Sequence, residues 1–288
     1  ATASEYVYYR GMWLSNITGA IISQNHIYNI RPSLSTQTLD RMGIEIAGSS
    51  ASVTIDRNEI HSMGTFSTSG YGGYGINVNG GNNHLIVNNL VYDIDGYGWS
   101  SQANCPEGIR LSAGTGHKVY YNSVHLFGQV TGTGTRYSSA FVVAATTVTG
   151  IDVRNNIFSN KMTAPNTTTS ENMAMWFAAS YNFATSGNII NNNGLYVSPA
   201  SSKHFVGKVG TTIGSSTYQA LANWQTISSG DAQSIPVINI DAPFTSNTNL
   251  TIPASTSTGL ESGGVAIATL GIPNTDYLGV SRPAGTGT

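Results

Sequence analysis

The sequence predicts an all-β solenoid of about six long coils, followed by an irregular C-terminal region. Three observations predict it. Short strand-like blocks open at Gly11, Gly43, Gly75, Gly108, Ala140 and Met173, in steps of 32, 32, 33, 32 and 33 residues. Thirteen to fifteen residues after each start stands an asparagine: Asn25, Asn58, Asn88, Asn122, Asn155 and Asn188. In the first five coils an apolar residue follows two positions later, at Ile27, Ile60, Leu90, Val124 and Ile157. A fixed period of this size marks units that cannot bury their apolar faces alone and therefore stack on one another.

The opening block of each coil alternates apolar and variable residues, as in 43–46 (GIEI), 75–78 (GINV) and 108–111 (GIRL), which is the period-two signature of a half-buried strand. Helical spacing is missing from these coils. The second block carries Ile22, Ile55, Leu85 and Val119 three residues before the asparagine. In the fifth coil Asp152 falls there, between Ile151 and Val153, and a one-residue bulge is the expected reason. The asparagine column has two physical motives. A sharp turn between strands needs a left-handed or bridge conformation that Asn tolerates. Its side-chain amide can also bond the equivalent amide one rung away, satisfying polar groups inside the coil. An internal ladder of Asn25, Asn58, Asn88, Asn122 and Asn155 is therefore expected.

These stacked asparagines, with the local pattern I..N.I.N at 22–29 (ISQNHIYN) and 153–160 (VRNNIFSN), resemble the right-handed parallel β-helix repeat family. The resemblance implies a right-handed parallel β-helix over residues 1–197. Each coil also carries an excursion of about a dozen residues, at 31–42, 62–74, 94–107, 127–139 and 159–172. These emerge at the same point of the repeat and should form one ragged flank.

Residues 198–288 are read as a C-terminal cap region. Segments 198–216 and 245–264 are rich in Ser, Thr, Gly and Asn, 218–227 (YQALANWQTI) reads as a short helix, and 237–240 and 265–270 read as short strands that close the solenoid. The tail carries a second resemblance, in Gly194-Leu195-Tyr196, 218–225 (YQALANWQ), 231–235 (DAQSI), Ala242-Pro243-Phe244 and 276–285 (DYLGVSRPAG). In this order they resemble large secreted surface proteins of Bacteroidota and related phyla. That resemblance implies export by the type nine secretion system, whose closing strand and sorting domain would lie beyond Thr288. With no initial Met and no leader peptide, the chain reads as a mature protein or a fragment.

Composition fits an extracellular product. Charged residues are 9% of the chain, Gly numbers 33, and the formal charge is −2. No basic stripe is available to bind nucleic acid or an anionic membrane. The single Cys105 excludes an internal disulfide, and no apolar run approaches the length of a membrane span. Three N-x-S/T sites, at Asn16, Asn166 and Asn249, would stay unmodified in a bacterial source.

Catalysis on such a fold requires two convergent carboxylates, or a Ca²⁺ site with a nearby base. The outward column of the opening strands reads Trp13, Glu45, Asn77, Arg110, Val142 and Met175, and the column before it reads Arg10, Met42, Tyr74, Glu107, Ser139 and Asn172. Neither holds paired acids, so Glu45, Glu107 and Arg110 are the only groove residues an enzyme would have. Asp40-Arg41 and Asp56-Arg57 read as surface charge pairs of little energetic weight. Asp93 and Asp95 resemble the start of a calcium loop, but Asn104 stands where the twelfth-position Glu should be. His61 and His125 share an offset with Tyr28, Val91 and Phe158, and the six His show no metal spacing, so no metal or other cofactor is expected.

The flank of excursions is richer. It holds Tyr71, Tyr74, Tyr97, Trp99 and Tyr137 amid Gly, Ser and Thr, with Phe66 and Phe127 nearby, and exposed rings of this kind stack on sugar faces. The sequence thus points to a non-catalytic extracellular structural or adhesive module at the bacterial surface, with those five rings as its ligand-binding candidates. Expected partners are a surface polysaccharide or another surface protein, with self-association through the solenoid ends. The alternatives are a polysaccharide lyase or glycoside hydrolase, and a self-assembling surface filament subunit.

Overall fold

The computed structural model describes residues 9–32, 39–65, 68, 70–184, 186–198, 203–238, 241–253, 255, 257–260, 263–267 and 274–282. Each of six coils contributes three strands. They are β1 (Arg10–Ser15), β2 (Ile21–Ser23) and β3 (His26–Ile30); β4 (Arg41–Ala51), β5 (Thr54–Asp56) and β6 (Glu59–Met63); and β7 (Gly73–Asn82), β8 (Leu85–Val87) and β9 (Leu90–Ile94). The next three coils hold β10 (Glu107–Leu111), β11 (Lys118–Tyr120) and β12 (Ser123–Leu126); β13 (Tyr137–Val143), β14 (Asp152–Arg154) and β15 (Ile157–Asn160); and β16 (Glu171–Phe177), β17 (Ile189–Asn191) and β18 (Gly194–Val197). Beyond them lie β19 (His204–Val209), β20 (Thr217–Tyr218), helix α1 (Leu221–Ser228) and β21 (Ile235–Ile238). Equivalent strands pair in parallel, giving a first sheet β1-β4-β7-β10-β13-β16-β19-β20, a second β2-β5-β8-β11-β14-β17 and a third β3-β6-β9-β12-β15-β18-β21. Only β20 runs antiparallel within these sheets. The chain is a parallel β-solenoid.

The core is a set of stacked apolar columns. Ile44, Ile76, Ile109, Phe141 and Met175 stack in the first sheet, Ile22, Ile55, Ile86, Val119, Val153 and Ile190 in the second, and Ile27, Ile60, Val91, Val124, Phe158 and Leu195 in the third, all buried in one cluster. Removing one of these side chains to Ala costs about 2–5 kcal/mol in a close-packed interior. Gly11, Gly43, Gly75 and Gly108, one in each of the first four first-sheet strands, are there for a packing reason. A Cβ on Gly43 would stand 2.3 Å from Ile60 Cγ2, and one on Gly108 would stand 2.2 Å from Val124 Cγ1.

The register corrects the sequence reading by one residue at several places. Ser139 pairs with Met173 and Val142 with Trp176, so coil six opens at Ala174 and its outward residue is Trp176, not Met175; Met173 takes the place expected for Asn172. The inward residues of the third and fifth coils are Ile86, Val91 and Phe158, whereas Leu85, Leu90 and Ile157 are only half-buried. Val153 pairs directly with Val119, so no bulge forms at Asp152.

The asparagine ladder is shifted in the same way. Asn25, Asn58 and Asn122 are in it, but the third and fifth rungs are Asn89 and Asn156 rather than Asn88 and Asn155, and the sixth is Asn193 rather than Asn188. Each Nδ2 donates to the Oδ1 of the next rung: Asn25 to Asn58 at 2.9 Å, Asn58 to Asn89 at 3.0 Å, Asn89 to Asn122 at 2.9 Å, Asn122 to Asn156 at 3.0 Å and Asn156 to Asn193 at 3.0 Å. Each Oδ1 also accepts the backbone N–H of the preceding rung's Asn, at 3.0–3.1 Å.

The residue just before each of these six rungs has a positive φ: Gln24, Arg57, Asn88, Tyr121, Asn155 and Asn192. Two adjacent positions therefore favour asparagine for different reasons, one for left-handed backbone and one for an inward amide. At the Asn88-Asn89 and Asn155-Asn156 doublets the corner residue is the first of the two. Its side chain faces outward and takes hold of the tail. Asn192 Nδ2 donates to Gly263 O (2.9 Å), Asn155 exchanges two hydrogen bonds with Val265 (2.7 and 2.9 Å), and Asn88 Nδ2 donates to Thr275 O (3.0 Å). Arg282 donates to Asn88 Oδ1 and lies 3.7 Å over the ring of Tyr121.

The region after residue 197 begins by continuing the stack. β19 adds a rung to the first sheet and β21 one to the third, while α1 takes the place of a second-sheet strand. Trp224 of α1 is fully buried over Gly207, where a Cβ would stand 2.2 Å from the indole. Its Nε1–H donates to Asp231 (2.8 Å), and Ser234, which donates to Asp231 (2.5 Å), accepts the Asn193 N–H (2.9 Å), so the helix and the end of the ladder are closed by one carboxylate. Burial pushes Asp231 up to about 6. Of the expected tail elements, the helix begins three residues later than 218; the 237–240 strand is present at 237–238 as part of Ile235–Ile238, and 239–240 lie outside the described residues. Residues 265–267 form no strand, and 268–270 lie outside the described residues.

A second internal column pairs His84 and His117, stacked at 5.1 Å. Each Nδ1 accepts a backbone N–H (Val53 to His84, 3.1 Å; His84 to His117, 3.3 Å) and each Nε2–H donates to a carbonyl, Gly80 at 3.0 Å and Ala113 at 2.9 Å. A proton on Nδ1 would face a donor, and burial lowers the His117 pKa from 6.5 to about 4. The unfolded chain therefore binds more protons between these values. The stability this ring contributes is complete above about pH 6.5 and is lost as pH falls toward 4, by on the order of 3 kcal/mol. Asp40, Asp95, Glu107 and Asp231, whose burial raises them, act with the opposite sign. The test is the difference in urea-unfolding free energy between the wild type and His117→Gln, which should shrink from pH 6.5 to 4.5; a constant difference would contradict it.

Candidate functional site

The outward column of the first sheet is a closed polar chain. Glu45 is buried in an ion pair with Arg10 and accepts from Asn77 Nδ2 (3.2 Å). Asn77 Oδ1 accepts from Ser112 Oγ (3.3 Å), which accepts from Arg110 Nε (2.8 Å), and Arg110 pairs with the fully buried Glu107 at 2.7 Å. Each acid has its own arginine. The carbonyl of Gln102 accepts from Arg110, so the excursion after β9 roofs the pair. Farther along, Glu171 and Lys208 form a fully buried pair at 2.7 Å.

Sequence reasoning missed one partner of this column. Asp40 is not part of a surface charge pair. Its carboxylate accepts from the Gly72 N–H (2.9 Å) and the Tyr74 hydroxyl (3.0 Å), beside Arg110 and Glu107. Burial pushes Asp40 up to about 6 and Glu107 up to about 7, with Arg110 opposing in both cases. The acids come from different coils, and the intervening excursion hid their approach. Asp93 and Asp95, the suspected calcium-loop start, are both held by Arg31, at 2.8 and 3.0 Å.

The five ring candidates divide. Tyr74 is buried, accepting from the Asn104 N–H (2.9 Å) while donating to Asp40. Tyr137 is also buried, edge-on to Trp176 at 5.0 Å with its hydroxyl donating to Thr211 O (2.9 Å). Neither offers a face to a ligand. Apolar volume between first-sheet outward side chains and the excursions draws them in. Tyr97 and Trp99 share a partner: the Arg136 guanidinium lies 4.7 Å from the Tyr97 ring centre and 5.7 Å from that of Trp99. Arg136 is held by the carbonyls of Tyr97 (3.1 Å) and Thr135 (2.7 Å). Trp99 is 42% exposed; Tyr97 and Tyr71 are half-buried, and the Tyr71 carbonyl accepts from the Gly98 N–H (3.1 Å). Phe66 lies outside the described residues.

The outward column of the third sheet reads Tyr28, His61, Tyr92, His125, Ser159 and Tyr196, one residue away from the expected Val91 and Phe158. It is an aromatic stack, with Tyr28 to His61 at 5.3 Å and His61 to Tyr92 at 4.7 Å. Among the described residues no helix is long and apolar enough to cross a membrane. None of the protein families, curated proteins or solved structures compared with this chain matches it.

Proposed function

We propose that this chain is a non-catalytic structural or adhesive module of a secreted bacterial surface protein, of the Bacteroidota type its tail motifs resemble, and that it takes a glycan on the Tyr97–Trp99 platform. The observation that carries the reading is the Arg136-braced ring pair on the flank of excursions. An arginine held against two rings fixes their orientation before a ligand arrives, which lowers the ordering cost of binding. Polar Gly, Ser and Thr neighbours supply hydrogen bonds, and display in many copies strengthens a weak single site. The pairing of Glu45 and Glu107 with their own arginines weighs against turnover.

One observation favours a second reading, a polysaccharide lyase or hydrolase. Asp40 and Glu107 are carboxyls raised toward neutral pH on either side of Tyr74, and perturbed acids gather at reactive sites. A polysaccharide panel, with and without Ca²⁺, read for both binding and new chain ends separates the two. Binding weakened about tenfold or more by Trp99→Ala, with no new ends, is expected, since an aromatic side chain buried against a ligand contributes about 1.5–3 kcal/mol. Cleavage abolished by Glu107→Gln, or binding indifferent to Trp99→Ala and Tyr97→Ala, would overturn the proposal.

A further inference from the structure

The start of the third-sheet stack gathers three metal-ligating side chains from two rungs. β3 and β6 pair so that His26 stands beside Glu59 and Tyr28 beside His61. His26 Nε2 lies 2.7 Å from His61 Nε2 and 4.0 Å from Glu59 Oε2, and one donor atom of each of the three residues lies within 4.8 Å of the others. The spacing in sequence is that of the coil, which is why no local metal motif betrays it.

The surroundings fix the protonation and orientation of these groups. His61 Nδ1 is 3.0 Å from Ser62 Oγ, and Ser62 donates its only hydroxyl proton to Asp93 Oδ2 at 2.7 Å. Ser62 is thus an acceptor toward His61, so the proton of the neutral imidazole sits on Nδ1 and the Nε2 lone pair points at His26 and Glu59. Burial raises Asp93 on its own, but the bonds from Arg31 (2.8 and 3.0 Å) and Ser62 hold its carboxyl below the usual range, so it stays an acceptor. This is the carboxylate-to-histidine relay that orients metal-bound imidazoles, here passing through a hydroxyl. The His61 ring is clamped between Tyr28 and Tyr92, and His26 stacks on Tyr28 at 4.4 Å. Glu59 is held at one oxygen by the Tyr92 hydroxyl (2.6 Å) and at the other by Tyr277 of the tail (3.4 Å).

We infer that His26, Glu59 and His61 form a binding site for a divalent first-row transition cation such as Zn²⁺. Two imidazole nitrogens and one carboxylate are the donor set such ions prefer, whereas Ca²⁺ and Mg²⁺ favour oxygen alone. Donors at about 2.0–2.1 Å from an ion must stand somewhat more than 2.7 Å apart. The widening falls to His26, which is exposed on the first coil. Three protein donors leave a coordination position open to water or a ligand.

The test is calorimetric titration of the full chain, stripped with EDTA and desalted, with ZnCl₂, alongside CoCl₂ absorption spectra. One equivalent bound at micromolar affinity or better is expected, with d–d bands for Co²⁺. His26→Ala and His61→Ala should each abolish it. Ser62→Gly, which suits the positive φ there, should weaken binding about 10–100-fold with an unchanged metal-free circular dichroism spectrum. If His61→Ala fails to fold, His26→Ala on the exposed rung decides. No Zn²⁺ binding up to millimolar concentration, or binding that survives both His substitutions, would overturn the inference and leave the pair as a simple imidazole hydrogen bond.

Discussion

Asn122→Leu is expected to cost about 3–5 kcal/mol. Asn122 is buried at the middle of the ladder. Its Oδ1 accepts both the backbone N–H and the side-chain amide of Asn89, and its Nδ2 reaches Asn156 and the carbonyls of Ile86 and Tyr120. Leucine fills the volume but leaves the Asn89 N–H without an acceptor and takes a donor from the Ile86 and Tyr120 carbonyls and from Asn156 Oδ1, while the Asn89 amide keeps the Ile55 and Val87 carbonyls; each orphaned buried group costs about 1–3 kcal/mol. Asn155→Gly is the control: glycine suits the left-handed backbone there, so the change removes the outward hold on Val265 and should cost about 1 kcal/mol. Chemical unfolding midpoints of the two variants decide. Comparable losses would mean that the inner ladder is no more important than the outer corner.

Trp224→Ala should cost a similar amount, about 3–5 kcal/mol, the range for a large buried ring. The indole closes the end of the apolar columns, 5.7 Å from Phe177 and from Phe183 and 5.8 Å from Tyr218. Its loss also removes a donor from the buried carboxylate of Asp231. An opened end exposes apolar columns and strand edges that pair with other chains, so the variant should self-associate on gel filtration as well as melt earlier. A monomer of unchanged thermal stability would show that α1 merely rests on the stack.

Much of the fold was legible because the repeat is a physical necessity: the period, the opening and second strand blocks and the common exit point of the excursions all follow from stacking identical units. The one-residue slips at Asn88-Asn89 and Asn155-Asn156 arise because corner and ladder both reward asparagine, and a single sequence does not say which of two neighbours points inward. The small-residue column would have caught one slip, since Ala174 continues Gly108 and Ala140 better than Met173 does. The candidate site was less legible. Tyr74 and Tyr137 read like Tyr97 and Trp99, yet two are buried under excursions whose path depends on long-range contacts. Likewise, His26 with Glu59 and His61, and Asp40 with Glu107, meet only after coils are stacked.

The grip of the tail on the outer corners changes how the stack behaves as a whole. When each coil touches only its neighbours, stabilities add along a line and the array can fray one repeat at a time. Here residues 263–267 and 274–282 bind corner or adjacent side chains in coils six, five, three and two, and the Arg282 guanidinium covers a ring in coil four. Late residues of the chain are thereby tied to early ones across several repeats, so loosening a middle coil also breaks contacts made by repeats on either side. The solenoid is laced along one edge, and its central coils share a cooperative fate that a bare stack would lack.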